Sequence, residues 1–280
     1  MADNEDRLIR FLLPGAQARG AFIRAAHIVD KAGEIHGLQG EPAALFGQSL
    51  IASILLLSGS KGGMRQVLQL DSQSGQNTPV KRILAEARPG MVRGYLDWNE
   101  LGLHDDSAAG ITAWMGKPLR TSVVRDLGFG QPYISTIEHD SDFLADHILH
   151  FMTQSAQIQS DVVLYGNVGL LLEAMPGSDQ EHWFRAVELL ASISNETLTQ
   201  ESPEKLLQRF KSLDCKIVGE DRYAYRCNCK PESMAAALHN IPADQLTDLA
   251  GESGIVTLSC QYCNNSYELD ISTLDLRNVT

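Results

Sequence analysis

Four cysteines near the end of the chain form two tight pairs, Cys227-Asn228-Cys229 and Cys260-Gln261-Tyr262-Cys263. A fifth, Cys215, lies just upstream, and no cysteine precedes it. A secreted disulfide scaffold would spread its cysteines through the chain, whereas local clustering points to metal or redox chemistry. Four thiolates satisfy tetrahedral zinc and leave no open position for water. The Cys260 pair has the spacing of a zinc knuckle. The Cys227 pair is one residue tighter, but residues two apart on an extended strand face the same side, so both sulfurs can reach one metal. Cys227, Cys229, Cys260 and Cys263 are therefore the expected ligands of one zinc per chain in the reduced state. Structural zinc contributes on the order of 10–16 kcal/mol of folding energy in small domains, so a pure staple is one reading of the site. A redox switch is the other. Arg226 and Lys230 flank the tight pair, and positive neighbours favour thiolate over thiol. A Cys227–Cys229 disulfide would close a small strained ring, oxidising and easily reduced. Cys215 has no partner at metal spacing and reads as a partly buried residue near a helix end, while His239 reads as a helix-end residue.

The elements that must hold these groups fall into three parts. The 280-residue chain is 44% hydrophobic and 21% charged, with a formal net charge of −12. That fits a globular protein with a sizeable core and disfavours phosphate backbones as partners. The acidic start Met-Ala-Asp-Asn-Glu-Asp lacks the basic and apolar regions of a secretory signal. The uncharged window Pro42 to Ser60 reads as a buried core helix, because its strongest apolar stretch, Leu50 to Leu57, is too short to span a bilayer. A cytosolic location is expected, with no nucleic-acid or membrane partner. No catalytic constellation and no P-loop pattern is visible, so no enzyme is expected.

Residues 1–177 read as an N-terminal mixed α/β domain with an antiparallel sheet, within an α+β chain. Strand-like runs are Ala18–Ala26, Gln66–Asp71, Val80–Ala87, Met91–Trp98, Leu119–Val124, Tyr133–Glu138, Val162–Tyr165 and Gly169–Met175. Helical patterns cover His27–His36, Pro42–Leu57 and Asp142–Gln157, and Ser72–Thr78 is a turn. About a third of residues 178–226 are charged, well above the chain average. Asp179–Ser192 and Pro203–Leu213 are amphipathic there, around a polar break at Asn195–Ser202. Residues 178–222 read as a helical linker that needs a docking surface. Residues 223–280 read as a small zinc-binding domain with a strand at Arg222–Arg226, short helices at Pro231–His239 and Asp244–Ala250, and strands at Ile255–Ser259 and Tyr267–Ile271. A unit this small needs a staple.

On these residues the sequence resembles the heat-shock protein 33 family of redox-regulated chaperones. The resemblance rests on Tyr225-Arg226-Cys227-Asn228-Cys229, on Leu258-Ser259-Cys260-Gln261-Tyr262-Cys263-Asn264 and on Tyr267-Glu268-Leu269-Asp270. Supporting matches are Val92-Arg93-Gly94-Tyr95, Pro132-Tyr133 and Glu173-Ala174-Met175-Pro176-Gly177. Two segments depart from the family pattern, the Ser- and Gly-rich Gly59–Arg65 and the turn Ser72–Thr78. The resemblance implies an ATP-independent holdase that is inactive when reduced and zinc-bound. It implies that oxidation forms redox-active Cys227–Cys229 and Cys260–Cys263 disulfides, releases zinc and frees a metastable linker. Its partners would be unfolding client proteins, and a homodimer of the oxidised form stays open.

Three other readings make different demands. A zinc-stapled protein-binding module would hold the metal without redox control. A zinc-ribbon nucleic-acid binder would surround the knuckle with basic residues, where this chain has Gln261, Asn264, Asn265, Glu268 and Asp270. A thiol–disulfide oxidoreductase would set its CxxC at a helix N-terminus, where this chain has Asn264-Asn265 and a strand.

Overall fold

The structure, a computed structural model, describes residues 5–73, 78–98, 110–238 and 241–273. The chain divides into two compact units, Met1–Tyr225 and Arg226–Thr280. Part of the expected Ser72–Thr78 turn, residues 74–77, lies outside the described residues, as does His239.

The first unit opens with a hairpin, β1 (Asp6–Leu13) and β2 (Ala18–Arg24), followed by α1 (Ala26–His36) and α2 (Gly40–Ser58). Three antiparallel strands follow, β3 (Arg65–Asp71), β4 (Val80–Arg88) and β5 (Met91–Trp98). Next come α3 (Ile111–Met115), β6 (Leu119–Asp126), β7 (Tyr133–His139), α4 (Leu144–Phe151), β8 (Ser160–Tyr165) and β9 (Val168–Ala174). The helix expected over Asp142–Gln157 is shorter than its pattern, since α4 gives way at Met152–Ala156 to a wider π turn. Three helices follow, α5 (Gln180–Ala191), α6 (Asn195–Gln200) and α7 (Pro203–Leu207), then a 3-10 turn at Gln208–Leu213. The unit closes with β10 (Lys216–Tyr225).

The ten strands form one sheet in the order β7-β6-β3-β4-β5-β10-β1-β2-β9-β8. All neighbours are antiparallel except β5 and β10, which meet in a short parallel register at Met91–Ala224 and Val92–Tyr225. The strand expected at Arg222–Arg226 is thus the end of a longer one, paired with β1 from Asp6–Tyr223 to Leu12–Lys216.

Both faces of the central strands are covered. Leu8, Ala21, Ile23 and Leu171 face the cluster built on α1, α2 and α4. Ile9, Phe11, Phe22, Leu170 and Leu172 face the other way, against Trp183, Ala186, Leu190, Leu198, Leu206 and Phe210 of the later helices. The window considered as a membrane span is the core helix α2, most of whose length is buried. Its buried Ser49 and Ser53 hydroxyls donate to the carbonyls of Leu45 and Leu50, both at 2.8 Å. Gly169 lets the helix approach the sheet, since a Cβ there would sit 2.3 Å from Ile51 Cγ2. The segment expected as a polar break at Asn195–Ser202 forms α6 instead. Ser194 caps it by accepting from Thr197 N–H, and Leu198 is buried beneath it; a good cap and one buried leucine suffice where a neighbouring layer supplies the packing.

The second unit contains α8 (Pro231–Leu238), α9 (Ala243–Ala250) and the hairpin β11 (Ile255–Ser259) with β12 (Ser266–Asp270). Its fully apolar core is small: Leu238, Leu246, Ala250 and Val256, with Ile241, Leu258, Leu269 and Ile271 packed around them.

Candidate metal centre

The two cysteine pairs are held by different local structures. Cys227 and Cys229 lie on the irregular segment between Tyr225 and α8. Cys260 and Cys263 lie on the tight connection from β11 to β12. There Cys260 N–H donates to Asn265 O at 2.9 Å, and the N–H groups of Asn264 and Cys263 donate to Cys260 O at 2.8 and 3.3 Å. Asn264 carries the turn in the left-handed region, with φ of 57°, a conformation that Asn tolerates better than most residues. The turn aims both sulfurs of the CxxC pair to one side.

All four Sγ atoms lie within 4.8 Å of one another. Cys227 Sγ is 3.7 Å from Cys260 Sγ, and Cys229 Sγ is 3.3 Å from Cys263 Sγ. Tetrahedral zinc with sulfur ligands separates its sulfurs by roughly 3.8 Å. Four soft donors gathered at that scale fit a thiolate-loving metal, and no other such cluster occurs among the described residues. Cys260 is buried and the other three are partly buried. The structure therefore brings together all four residues expected from the sequence.

The thiols are not equivalent. Burial raises the Cys229 pKa, but the Tyr267 hydroxyl at 3.1 Å and the neighbouring thiols outweigh it and bring the group down to about 7. The same bond pushes the Tyr267 phenol up to about 12. Cys260 and Cys263 are both pushed up, first by burial. Tyr267, bonded to Cys229, is the residue at the centre that the spacing did not single out. Arg226 and Lys230 are both exposed, and the groups that chiefly lower the Cys229 pKa are Tyr267 and the other three thiols. The alternation of β12 places its phenol on the face opposite Glu268, but nothing in the sequence directs that face at Cys229.

Cys215 belongs to the first unit. It packs against the cluster under the later helices, and burial pushes its thiol up to about 11. The CxxC pair sits between two strands, not at a helix N-terminus.

A large sheet closed on both faces, carried in one chain with a small unit built on four gathered thiols, defines a two-part protein with a metal-competent thiol centre. A family profile described as Hsp33 protein matches residues 6–270. The chain is 28% identical over 279 residues to the 33 kDa chaperonin of Lactobacillus delbrueckii, covering 94% of each chain. It is 30% identical over 282 residues to the 33 kDa chaperonin of Desulfotalea psychrophila, covering 94% of this chain and 93% of the relative. In structure it resembles the 33 kDa chaperonin (heat shock protein 33 homolog) of Thermotoga maritima, with a TM-score of 0.79, 22% identity and 96% of both chains covered. The chain belongs to the Hsp33 family. Membership supports a chaperone function, and the α+β fold matches that of the Thermotoga protein.

Proposed function

We propose that the chain is a redox-regulated, ATP-independent holdase of the cytoplasm, with Cys227, Cys229, Cys260 and Cys263 as both zinc ligands and redox-active cysteines. The observation that carries this reading is the gathering of all four sulfurs within 4.8 Å in a unit whose buried core is only four apolar residues. Bound zinc would supply the folding energy that so small a core lacks. Peroxide or hypochlorous acid oxidises Cys227 with Cys229, and Cys260 with Cys263. Each disulfide forms as two thiolate ligands give two electrons to the oxidant, and each removes two donors from the centre.

The second unit then lacks its staple and unfolds. In sequence, β10 runs from the helical segment directly into the first cysteine pair. In this reading the linker of residues 178–222 loses its support with the C-terminal domain of residues 223–280. Departure of α5, α6 and α7 uncovers Ile9, Phe11, Phe22, Leu170 and Leu172 on the N-terminal domain. An apolar patch of that kind binds other chains, here unfolding clients, and the net charge of −12 keeps the complexes dispersed.

The test measures zinc release and free thiols before and after peroxide, beside thermal aggregation of an unrelated protein without nucleotide. Oxidised, zinc-free protein should suppress aggregation and reduced, zinc-loaded protein should not. Equal suppression by both forms would leave a zinc-stapled binding module without redox control.

A further inference from the structure

The first unit holds an open groove of about 520 Å³, lined wholly by its own residues. Its walls come from the first half of α2, from α3, from the residues that lead into α4 and from β8. No cysteine lines it, and no residue of α5, α6 or α7 does. Neither the thiol centre nor the layer that the proposed switch displaces therefore takes part in it. A volume of this size suits a small organic molecule.

Three aromatic side chains line the groove, Trp114, Phe143 and Tyr165, beside the aliphatic Leu45, Ile111 and Leu144. Phe143 and Tyr165 remain 68% and 45% exposed. Open rings of this kind offer the negative face of their quadrupole to whatever enters.

The charges in the wall are all of one sign. Glu41, Asp142 and Asp146 line the groove, and no Lys, Arg or His does. Their hydrogen-bond donors are neutral: Glu41 accepts from Trp114 Nε1 at 2.7 Å, Asp142 from the Thr112 hydroxyl and Asp146 from the Ser141 hydroxyl. None of the three forms a salt bridge among the described residues. Ring faces and carboxylates both attract positive charge. The apolar walls disfavour a strongly hydrated metal ion and favour a cation whose charge is spread over carbon.

We propose that this groove is a binding site for a small organic cation of the quaternary alkylammonium class. The aromatic side chains would receive the methyl groups, and the three carboxylates would supply the opposite charge. The site is independent of the chaperone reading: it assigns no client to the groove and asks nothing of the redox state.

Isothermal titration calorimetry on the full-length, reduced, zinc-loaded protein tests it. The probes are choline and its uncharged isostere, in which a carbon atom replaces the ammonium nitrogen. Choline should bind on the order of tenfold more tightly than the isostere at low salt, and the gap should narrow as salt rises. The double variant Glu41→Gln, Asp146→Asn should shrink the gap. Phe143→Leu keeps apolar bulk at an exposed position but removes the π face, so it should weaken choline about fivefold and leave the isostere nearly unchanged. Phe143→Tyr keeps the ring and should bind as the unsubstituted protein does. Equal binding of choline and the isostere, or no binding of choline at millimolar concentration, would overturn the proposal. So would a gap that survives Phe143→Leu undiminished, a variant that tests the site even if the carboxylate pair cannot be replaced without loss of folding. Redox gating is read separately, from aggregation in the oxidised form, so either claim can fail alone.

Discussion

One face of β1, β2 and β9 is closed by α2, a 19-residue helix buried on nearly every side. The opposite face of the same strands is closed by α5, α6 and α7, of 12, 6 and 5 residues, with Glu, Lys and Arg along them. Short helices of this kind have little stability of their own. Part of their attachment is polar. Arg24 of β2 donates to the carbonyls of Leu198 and Glu201 at 2.8 and 2.7 Å, and Arg7 of β1 pairs with Glu204 at 2.9 Å. Lys205 and Arg209 also pair with Glu201. The strands present comparable apolar surface on both sides, so the difference lies in the covering layers. One layer is a single long helix within the core, whereas the other is a set of small pieces, which the proposed switch requires to leave while the sheet persists.

The largest effect that sharpens this contrast comes from the thiol centre. Cys227→Ser should loosen the metal and unfold the second unit, with a loss on the order of 10 kcal/mol of metal-linked stability. Cys215→Ser should leave zinc content unchanged, because Cys215 packs in the other unit. Zinc titration with a chromogenic chelator measures both. Equal zinc loss in the two variants would show the ligand assignment to be wrong.

Truncations in the two layers come next. Ile51→Ala in α2 and Phe210→Ala under the later helices should each cost about 2–5 kcal/mol. Ile51→Ala should lower the melting temperature of the sheet. Phe210→Ala should instead act locally and let the reduced, zinc-loaded protein suppress aggregation. If both variants merely lowered the melting temperature together, the layers would be equally integral.

On β4, whose Ile83, Ala85 and Ala87 pack in the cluster with α2, the opposite face carries an ion cluster. Glu86 is buried, and although burial raises its pKa, Arg88, Arg93 and Arg65 outweigh that and hold it below the usual carboxylate range. A carboxylate depressed in the folded state adds stability that is present above its unfolded pKa and is lost as pH falls through the folded value. Glu86→Gln should cost about 3 kcal/mol near neutral pH, and the gap to the unsubstituted protein should close in acid. Melting temperatures across that pH range measure it. A gap independent of pH would contradict the ionic role.

The smallest effect is expected at Arg24. Arg24→Ala removes both bonds to the end of α6 and should cost about 1–2 kcal/mol, read as faster hydrogen exchange in residues 195–207 with zinc retained. Unchanged exchange there would show that apolar packing alone holds the layer.

Much of this was legible in the sequence, for physical reasons that differ by region. The half-buried strands β3 to β7 alternate and end in turn residues, so their pattern shows. β1 does not, because Leu8 and Ile9 face two different cores and the run lacks a polar side. α3 and α6 are too short for a period to appear, and only the Ser194 cap marks α6. The cysteine centre was legible from spacing alone, because four thiolates at that separation have few other uses. Tyr267 was not, since a tyrosine on a short strand ordinarily packs, and its bond to Cys229 depends on how the hairpin folds over the first pair.

Hydrogen exchange on reduced, zinc-loaded protein and on fully oxidised, zinc-free protein tests the central claim most directly. Residues 180–213 should lose protection together with residues 226–273, while α2 and the strands beneath it stay protected. Unchanged protection of residues 180–213 in the oxidised protein would contradict it, for the apolar face would still be covered.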